Sequence, residues 1–449
     1  MGSSWSRREF LGRTSVAGLA AGLAGAVGAP AVLLGSESRN EQIRVGCVGI
    51  RGRGQSHIDA FSGFPGVKVV ALCDVDEKVL GTAAELLEKR TGQKIQRVVD
   101  YRKLVEDPGV DAVTIATPNH THSLIGIAAM AAGKDVYVEK PCSHNVWEGR
   151  QLAAAARKYR RLCQHGTQGR SCPAIVEGIR KLREGIIGQI YMARGLCFKW
   201  RPSIGRIPDE PVPAGVHYDL WLGPAPQRPF SRNRFHYNWH WHWDYGSGDM
   251  GNQGVHEMDM ARWGLGVGLP AKVQAAGGHF MFDDDQETPN TLVAIFEYPA
   301  EKKMLVFETR HWMTNHEDFG SGSSNAVGVT FYGSEGYMQV YYFGYRTYLG
   351  QARTPGPKAT GSSNEFETFL RGVRSRKVED LGVEIEEGHL SSALCHLGNI
   401  SYRLGRTLHF DPKTETFPSD AEANRLLTRP YRAPFVVPKI ATEQLDRGY

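Results

Sequence analysis

The chain of 449 residues has no run of basic side chains. Its 53 lysines and arginines are interspersed with 48 aspartates and glutamates, and the formal net charge is only +5. Proteins that follow a nucleic-acid backbone concentrate their basic residues on one face or in one segment. We therefore expect no nucleic-acid partner.

Cysteine pairs at metal-binding spacing are also missing. The sequence contains seven cysteines, an odd number, and no Cys-x-x-Cys arrangement. Cys47 and Cys73 lie in apolar, strand-like runs, where a buried thiol behaves as a small hydrophobic group. The pattern favours neither a zinc site nor a disulfide framework, and we expect no bound metal.

An apolar run of near-spanning length occurs only at the amino terminus. The pair Arg7-Arg8 precedes a stretch of small and apolar residues from Ser15 to Leu34, which resembles a twin-arginine export signal. Repeated glycines and Pro30 make this stretch a weak membrane span. We expect residues 1–35 to be a removable signal, and the mature protein to be periplasmic or otherwise exported without a stable membrane anchor.

Length and composition indicate a soluble protein of more than one domain. A chain of 449 residues exceeds one ordinary hydrophobic core. Its content of 41% hydrophobic and 22% charged residues is typical of globular proteins. We place a nucleotide-binding domain at residues 40–165, a second domain at 166–410 and a carboxy-terminal extension at 411–449.

A glycine-rich turn follows the first predicted strand, Ile43–Val48, and precedes a stretch compatible with a helix. Glycines allow the backbone to approach a pyrophosphate, and the helix N-terminus offers free N–H groups. Arg51 stands where the strict Gly-x-Gly-x-x-Gly pattern has its second glycine. The candidate dinucleotide contacts in this turn are Gly49, Arg51, Gly52 and Gly54.

A second apolar run, Val67–Cys73, ends in the acid Asp74. A carboxylate at this position accepts hydrogen bonds from the adenosine ribose hydroxyls and repels a ribose 2′-phosphate. Asp74 therefore predicts NAD rather than NADP. Its alternative role is to cap the end of the strand.

The alternation of strands and helices continues beyond Asp74. The predicted elements are a helix at 79–91, a strand at 110–117, a helix at 123–132, a strand at 135–138 and a helix at 147–159. This order predicts a parallel, doubly wound sheet whose ligand lies beyond the carboxyl ends of the strands. Two polar motifs follow such strand ends, at 117–122 and 139–141.

These two motifs together resemble those of the glucose-fructose oxidoreductase, inositol dehydrogenase and MocA family. Their residues are Thr117, Pro118, Asn119 and His122 in the first motif, and Glu139, Lys140 and Pro141 in the second. The similarity runs from about Ile43 to Asp411. The resemblance implies that Lys140 reaches both the nicotinamide ribose and the reacting hydroxyl, and that the remaining motif residues face NAD.

The second half of the chain is dominated by strand-like runs. They lie at 189–200, 273–281, 291–298, 303–311 and 327–332, with helical runs at 174–184, 365–375 and 388–405. A large, mostly antiparallel sheet with helices on one face, an α+β domain, fits this order.

The segment from Gly248 to Trp263 carries the candidate catalytic residues of this domain. On a helix that begins near Gln253, His256 and Asp259 are three residues apart and share a face. A histidine beside a lysine at a nicotinamide site can move the hydroxyl proton. The family resemblance, through its Gly-x-His-x-x-Asp motif, implies a catalytic His256 and an orienting Asp259.

Asn252 departs from the pattern of the family's dehydrogenases, which usually have an aspartate four residues before that histidine. An amide can hydrogen-bond a substrate hydroxyl but cannot take its proton. Proton transfer then falls to Lys140 or His256, or the reaction differs from simple alcohol oxidation. Because the two side chains are nearly isosteric, we expect Asn252→Asp to be tolerated.

Asn233–Tyr245 is dense in aromatic residues and histidines. Aromatic faces suit stacking on the C–H faces of sugars, and the same residues could instead pack on their own core or on a subunit partner. The spacing of His236, His240, His242 and Asp244 matches no metal motif.

The sequence therefore predicts an exported, NAD-dependent oxidoreductase that acts on a hydroxyl of a sugar or polyol, holds its cofactor tightly and forms a homodimer or homotetramer. The first alternative is an NAD-dependent glycosidase that works by oxidation, elimination and re-reduction, because an exported enzyme meets little free NAD. The second alternative is a non-catalytic protein that binds NAD or a sugar.

Overall fold

The computed structural model describes residues 42–313, 325–341 and 343–441. The predicted signal at residues 1–35 lies outside these ranges. Within them, every helix is too short or too polar to cross a membrane.

The first domain is built on a six-stranded sheet. Its elements are β1 (Ile43–Val48), α1 (Arg53–Phe61), β2 (Val67–Cys73), α2 (Glu77–Thr91), β3 (Gln96–Val98), α3 (Tyr101–Glu106), β4 (Ala112–Ile115), α4 (Asn119–Ala131), β5 (Asp135–Val138), α5 (Val146–Tyr159) and β6 (Cys163–His165). The strands lie in the order β3-β2-β1-β4-β5-β6, and each neighbouring pair is parallel. The predicted doubly wound Rossmann sheet is thus confirmed.

The inner strands of this sheet are covered on both faces, which is why they are mostly apolar rather than alternating. All four residues of β4 and of β5 are buried. Side chains of α1 and α2 such as Ile58 and Leu80 form one hydrophobic cluster. Side chains of α4 and α5 such as Leu124 and Leu152 form another.

The second domain contains the remaining elements. They are α6 (Pro173–Arg183), β7 (Ile190–Phe198), α7 (Tyr218–Leu222), α8 (Gly248–Asn252), α9 (Gly254–Leu265), β8 (Lys272–Gly278), β9 (Thr291–Tyr298), β10 (Lys303–Arg310), β11 (Ala326–Gly333), β12 (Gly336–Tyr341), β13 (Gly344–Leu349), β14 (Thr354–Thr360), α10 (Glu365–Ser375), α11 (Ile385–Leu404), β15 (Leu408–His409) and α12 (Ala421–Arg425). The nine strands lie in the order β14-β13-β12-β11-β7-β10-β9-β8-β15. Among the pairs described, β7–β10 is parallel and the others are antiparallel, which confirms the mostly antiparallel sheet.

One face of the second sheet packs against helices. Val255 and Met258 of α9 share a hydrophobic cluster with Phe296 and Phe307 of the sheet and Leu394 of α11. The strands supply every second residue to this core, as their alternating burial shows.

Two parts of the late sequence return to the first domain. Phe369 and Leu370 of α10 belong to the cluster of α1 and α2. Phe435, Val437 and Ile440 belong to the cluster of α4 and α5. The segment beyond residue 411, predicted as an extension, therefore contributes to the core of the nucleotide-binding domain.

The first polar motif differs from its predicted placement. Helix α4 begins at Asn119, four residues before the predicted start at 123, with Pro118 in the capping position. The ring of Pro118 fixes its own backbone angle φ, and proline has no N–H group that would need a hydrogen-bond partner there. Asn119 and His122 therefore lie on the first turn of a helix rather than in a loop.

Candidate active site

A cavity of about 560 Å³ opens at the carboxyl ends of the first sheet, where the second domain covers it. The predicted residues that line it are Gly49, Arg51, Gly52, Asp74, Thr117, Pro118, Asn119, His122, Glu139, Lys140, Asn252 and His256. Gly54, Pro141 and Asp259 are not among the lining residues. Most of the predicted site is thus brought together in one place.

The glycine turn gives the cavity a wall of bare backbone. A Cβ on Gly49 would lie 2.6 Å from the Thr117 nitrogen, and a Cβ on Gly54 would lie 1.9 Å from the Gly49 carbonyl oxygen. Gly52, with φ 58°, caps α1 without any side-chain hydrogen bond, and the space above its Cα is open. A helix N-terminus that has no side-chain cap and faces open space fits the pyrophosphate of a dinucleotide.

Asp74 and Asn119 offer acceptors beside this turn. The two carboxylate oxygens of Asp74 accept hydrogen bonds from the Ile50 nitrogen at 3.1 Å and the Asp76 nitrogen at 3.0 Å. Burial raises the pKa of Asp74, and these backbone donors oppose the rise. Each oxygen keeps further acceptor capacity for a ribose hydroxyl. The buried Asn119 Oδ1 has no hydrogen-bond partner in the described part of the chain, which also fits a bound ligand with donor groups.

Lys140 lies at the end of β5, and its peptide bond to Pro141 is cis. The Lys140 ammonium donates to the Asn252 carbonyl oxygen at 2.6 Å and to Asn252 Oδ1 at 3.3 Å. Burial lowers the pKa of Lys140; Glu139 counteracts this effect, while the positive charge of Lys199 adds to it. A lysine that releases its proton more readily suits proton exchange with a hydroxyl group.

Glu139 is buried beneath Lys140. Its Oε1 accepts from Arg53 Nε at 2.7 Å and lies 3.1 Å from His57 Nε2. Arg53 also donates to Glu365 of α10 at 2.9 Å. Although burial opposes charge, Arg53 and His57 hold the pKa of Glu139 well below its usual range. The lysine therefore has a permanently ionised carboxylate behind it.

His122 connects the two polar motifs. Its Nε2 lies 2.6 Å from the Thr117 carbonyl oxygen, and its Nδ1 lies 2.8 Å from the Pro141 carbonyl oxygen. The ring also lines the cavity. These contacts tie the chain after β4 to the chain after β5, so His122 positions Lys140 through the backbone.

His256 lies on the first turn of α9 and lines the same cavity as the glycine turn. Burial and the nearby charge of Lys140 hold its pKa well below the usual histidine value. The imidazole is therefore neutral at pH 7 and can accept a proton or a hydrogen bond.

Asn252 is held from two sides. Its Oδ1 faces Lys140, and its Nδ2 donates to Asp249 Oδ1 at 3.0 Å. Asp249 in turn accepts from Arg201 Nε at 3.0 Å and lies 3.0 Å from His311 Nε2. Although burial opposes charge, Arg201 and His311 hold the pKa of Asp249 well below its usual range. Sequence reasoning missed Asp249, Arg201 and His311, because they come from three separate segments.

Asp259 faces away from the cavity. Its carboxylate accepts from Arg170 Nε at 3.0 Å and from Ser391 Oγ at 2.7 Å, and the residue is buried. Ser391 belongs to α11, so Asp259 joins α9 to α11. The sequence predicted an orienting role for Asp259, and these contacts help to fix the helix that carries His256.

The aromatic segment at 233–245 contributes both to the cavity lining and to a hydrophobic cluster, and Phe235 belongs to both. Trp239 and His240 line the cavity with their rings stacked, centroids 3.6 Å apart and planes at 20°. Phe235 and Tyr245 pack with Trp221 in a small hydrophobic cluster. The packing of part of this segment in a core of its own is thus observed, while stacking on a sugar stays a prediction. In the part of the chain that the structure describes, no three His, Cys, Asp or Glu side chains form a metal-binding group.

Further cavity residues come from places that showed no motif. Gln168 follows β6, Leu220 and Gly223 belong to α7 and its end, and Phe435 comes from the carboxy-terminal segment. No local pattern could have indicated them, because each of these residues is isolated in the sequence.

Comparison with known proteins agrees with this geometry. The sequence matches an oxidoreductase family in two domains, the NAD-binding Rossmann fold over residues 43–167 and the C-terminal alpha/beta domain over residues 176–281 and 332–437. The chain belongs to this glucose-fructose oxidoreductase, inositol dehydrogenase and MocA family. Its first domain is accordingly an NAD-binding domain, and the glycine turn, Asp74 and Asn119 are the groups suited to hold the cofactor.

Individual relatives share part of their length with this chain. A glycosyl hydrolase family 109 protein of Solibacter usitatus is 35% identical over 167 residues, which are 35% of this chain and 38% of that protein. Inositol 2-dehydrogenase 1 of Saccharopolyspora erythraea is 36% identical over 187 residues, 40% of this chain and 54% of that protein. The alignments thus cover about a third to a half of the length of the curated relatives that this chain matches.

Solved structures share the fold over both domains. The WlbA dehydrogenase of Bordetella pertussis, in complex with NADH and UDP-GlcNAcA, superposes with a TM-score of 0.61 at 20% identity, covering 82% of this chain and 99% of that one. A levoglucosan dehydrogenase in complex with NADH and levoglucosan superposes with a TM-score of 0.62 at 18% identity, again covering 82% and 99%.

Proposed function

We propose that this protein is an exported NAD-dependent oxidoreductase that acts on a hydroxyl group of a sugar or polyol and holds its cofactor tightly. The observation that carries the proposal is that Lys140, Asn252 and His256 line the same cavity as the glycine turn and Asp74, with the Lys140 ammonium hydrogen-bonded to Asn252. Export is supported by the Arg7-Arg8 pair and the apolar stretch that follows it.

The side chains divide the work of such a reaction. Bound NAD would supply the hydride acceptor or donor. Lys140, with its lowered pKa, exchanges the proton of the reacting hydroxyl, and the neutral His256 accepts or returns it. Asn252 orients Lys140 and can hydrogen-bond a second hydroxyl, since an amide both donates and accepts.

The part of the cavity lining formed by Trp239 and His240 suits a neutral polyhydroxyl substrate. His240 Nδ1 lies 2.5 Å from the Tyr237 carbonyl oxygen, so Nδ1 must carry the proton and Nε2 is an acceptor. Burial lowers the pKa of His240 to about 3, so the ring stays neutral. The adjacent Trp239 presents an aromatic face of the kind that stacks on sugar C–H groups.

A glycosidase that works by oxidation, elimination and re-reduction is the second candidate. The glycosyl hydrolase names of several relatives favour it, as does Asn252 in place of the aspartate usual in dehydrogenases. A redox-neutral cycle would also suit a protein that meets little free NAD after export.

A homodimer or homotetramer is the assembly we propose. The face of the second sheet opposite α9 and α11 carries apolar side chains, among them Val293, Ile295 and Met304, and Val293 is 39% exposed. Light scattering on the purified protein tests this; a monomeric mass would refute it.

One assay distinguishes the two activities. The protein purified with its nucleotide is incubated with panels of free polyols and of glycosides, while reduced nicotinamide and released sugar are followed together. Oxidation of free polyols supports the dehydrogenase, and sugar release without net reduction supports the glycosidase. Turnover of neither class would refute both. Denaturing the protein identifies the nucleotide, and mostly NADP would refute the role of Asp74.

A further inference from the structure

The carboxy-terminal segment from Arg429 to Ile440 reaches the NAD-binding domain and contributes a wall of its cavity. Phe435 lines the cavity, is only 3% exposed and shares a hydrophobic cluster with Leu124 and Ile125 of α4. Leu124 and Ile125 line the same cavity. An aromatic ring from the end of the chain is thus built into the nucleotide domain.

Phe435 lies at the end of the cavity that the adenine of NAD would enter. Val75, Val99 and Tyr101, which follow β2 and β3, line the same cavity as Phe435. Tyr101 also packs against the hydrophobic cluster that contains Phe435. The guanidinium of Arg102, on α3, lies 5.3 Å from the Phe435 ring. Because an acid at the end of β2 binds the adenosine ribose, the base must extend past Asp74 towards these apolar residues.

The segment is fastened on both sides of this ring. Arg432 donates to the Asp219 carbonyl oxygen at 2.7 Å and to the Gly223 carbonyl oxygen at 3.1 Å. The Ile440 nitrogen donates to Gln151 Oε1 on α5 at 2.7 Å. Arg432 also lies over the Phe435 ring at 4.9 Å. The ring is therefore held in place by contacts with α5 and with the end of α7.

We propose that residues 429–440 close the adenine end of the NAD site, with Phe435 packed against the base, and that this cover slows release of the cofactor. The proposal depends on NAD binding by the first domain and is independent of which substrate is used. Aromatic rings contribute to base binding through stacking and apolar contact, which do not require hydrogen bonds. Residues of α7 also line the cavity, and Arg432 is hydrogen-bonded to α7 and its end. A nucleotide that leaves by the adenine end must therefore displace a segment that these hydrogen bonds hold in place.

The test compares two substitutions of Phe435 with one of its neighbour. Phe435→Ala removes the ring, and Phe435→Leu removes its aromatic face but keeps most of the core volume. Val436→Ala is the matched control, since Val436 is 49% exposed and does not line the cavity. Displacement of NADH fluorescence gives affinities for AMP, which contains the adenine, and for nicotinamide mononucleotide, which lacks it. A chase with excess NAD gives the NADH release rate.

We expect both Phe435 variants to weaken AMP binding about tenfold or more and to speed NADH release, with nicotinamide mononucleotide affected less than about twofold. Val436→Ala should match the unsubstituted protein. Unchanged AMP affinity and NADH release in Phe435→Leu would overturn the proposal. Equal weakening of both mononucleotides would also overturn it, because that result indicates general disruption of the domain. Thermal unfolding checks that Phe435→Leu, which decides the case if Phe435→Ala does not fold, retains the native structure.

Discussion

Two buried carboxylates, one from each domain, lie next to the proposed catalytic residues. They are Glu139, which precedes Lys140, and Asp249, which contacts Asn252. Glu139, on the cofactor side, forms an ion pair with Arg53 at 2.7 Å and lies 3.1 Å from His57. Asp249, on the substrate side, forms an ion pair with Arg201 at 3.0 Å and lies 3.0 Å from His311. The two clusters use the same chemistry, a carboxylate kept ionised in a buried site by an arginine and a histidine.

The clusters differ in how they reach Lys140. Glu139 precedes Lys140 in the chain and acts on its charge directly, as the largest influence that raises the lysine's pKa. Asp249 reaches the lysine through the amide of Asn252, which donates to Asp249 and accepts from Lys140. The first carboxylate therefore tunes the lysine's proton affinity, while the second mainly fixes its position.

The largest expected effect comes from removing the group on which both clusters act. Lys140→Ala should reduce turnover by roughly 10²–10⁴-fold, because a positioned acid–base group contributes about that much. His256→Ala should fall in the same range. The nucleotide content after purification should stay close to that of the unsubstituted protein, since neither change touches the glycine turn.

The control for these variants is Lys89→Ala, on the exposed surface of α2. It removes a lysine of the same charge far from the cavity and should leave turnover unchanged. Near-normal activity of Lys140→Ala or of His256→Ala would remove that residue from the proposed mechanism.

The two clusters also show what could be read from sequence. Glu139 and Lys140 were predicted because they stand in one contiguous motif after a buried strand, and the parallel sheet was predicted from its apolar runs. Asp249, Arg201 and His311 meet only through the tertiary fold, so no local spacing indicates them. The same holds for Phe435, which lies 361 residues after Asp74 in the chain.

Parts of the second sheet were missed for a different reason. Strands β12 to β14 span 336–360 and contain Gly336, Gly344 and Pro355, with little apolar alternation. Their pairing is determined by neighbouring strands rather than by their own propensity. The position of the cavity did not depend on them, because the strands that carry Lys140 and Asp74 were recognised.

Asn252→Asp changes the connection between Asp249 and Lys140, and we expect a smaller loss. From sequence alone this substitution looked tolerable, because the side chains are nearly isosteric. In the structure, Asn252 Nδ2 lies 3.0 Å from Asp249 Oδ1, so a new carboxylate would face an existing one. Like charges at this distance raise the pKa of one group. We expect turnover to fall roughly tenfold at pH 7, as expected for loss of one charge-assisted hydrogen bond.

Asn252→Ala is the comparison for that variant, because it removes the amide without adding charge. Both should be assayed with free polyols and with glycosides. If Asn252→Asp matches the unsubstituted enzyme on both, the amide does not connect Asp249 to Lys140. If it gains polyol oxidation, the new carboxylate serves as a base, and the repulsion argument is wrong.

The smallest expected effect is a displacement of the pH profile, and it tests the difference between the two clusters directly. Alcohol oxidation needs the neutral amine of Lys140, so kcat/KM should rise with pH through an apparent pKa below the ordinary lysine value of 10.5. Both Glu139 and Asp249 favour the charged amine, and Glu139 does so more strongly. Removing either charge should therefore move the rise of kcat/KM to lower pH.

For Glu139→Gln we expect the pH profile to be displaced by on the order of one pH unit. The amide oxygen of that variant can still accept from Arg53 and His57, which limits damage to the fold.

Asp249→Asn should displace the pH profile less and reduce kcat more, because it disturbs the hydrogen bond that holds Asn252. Equal displacements, or a larger one for Asp249→Asn, would show that the two carboxylates do not divide their roles in this way.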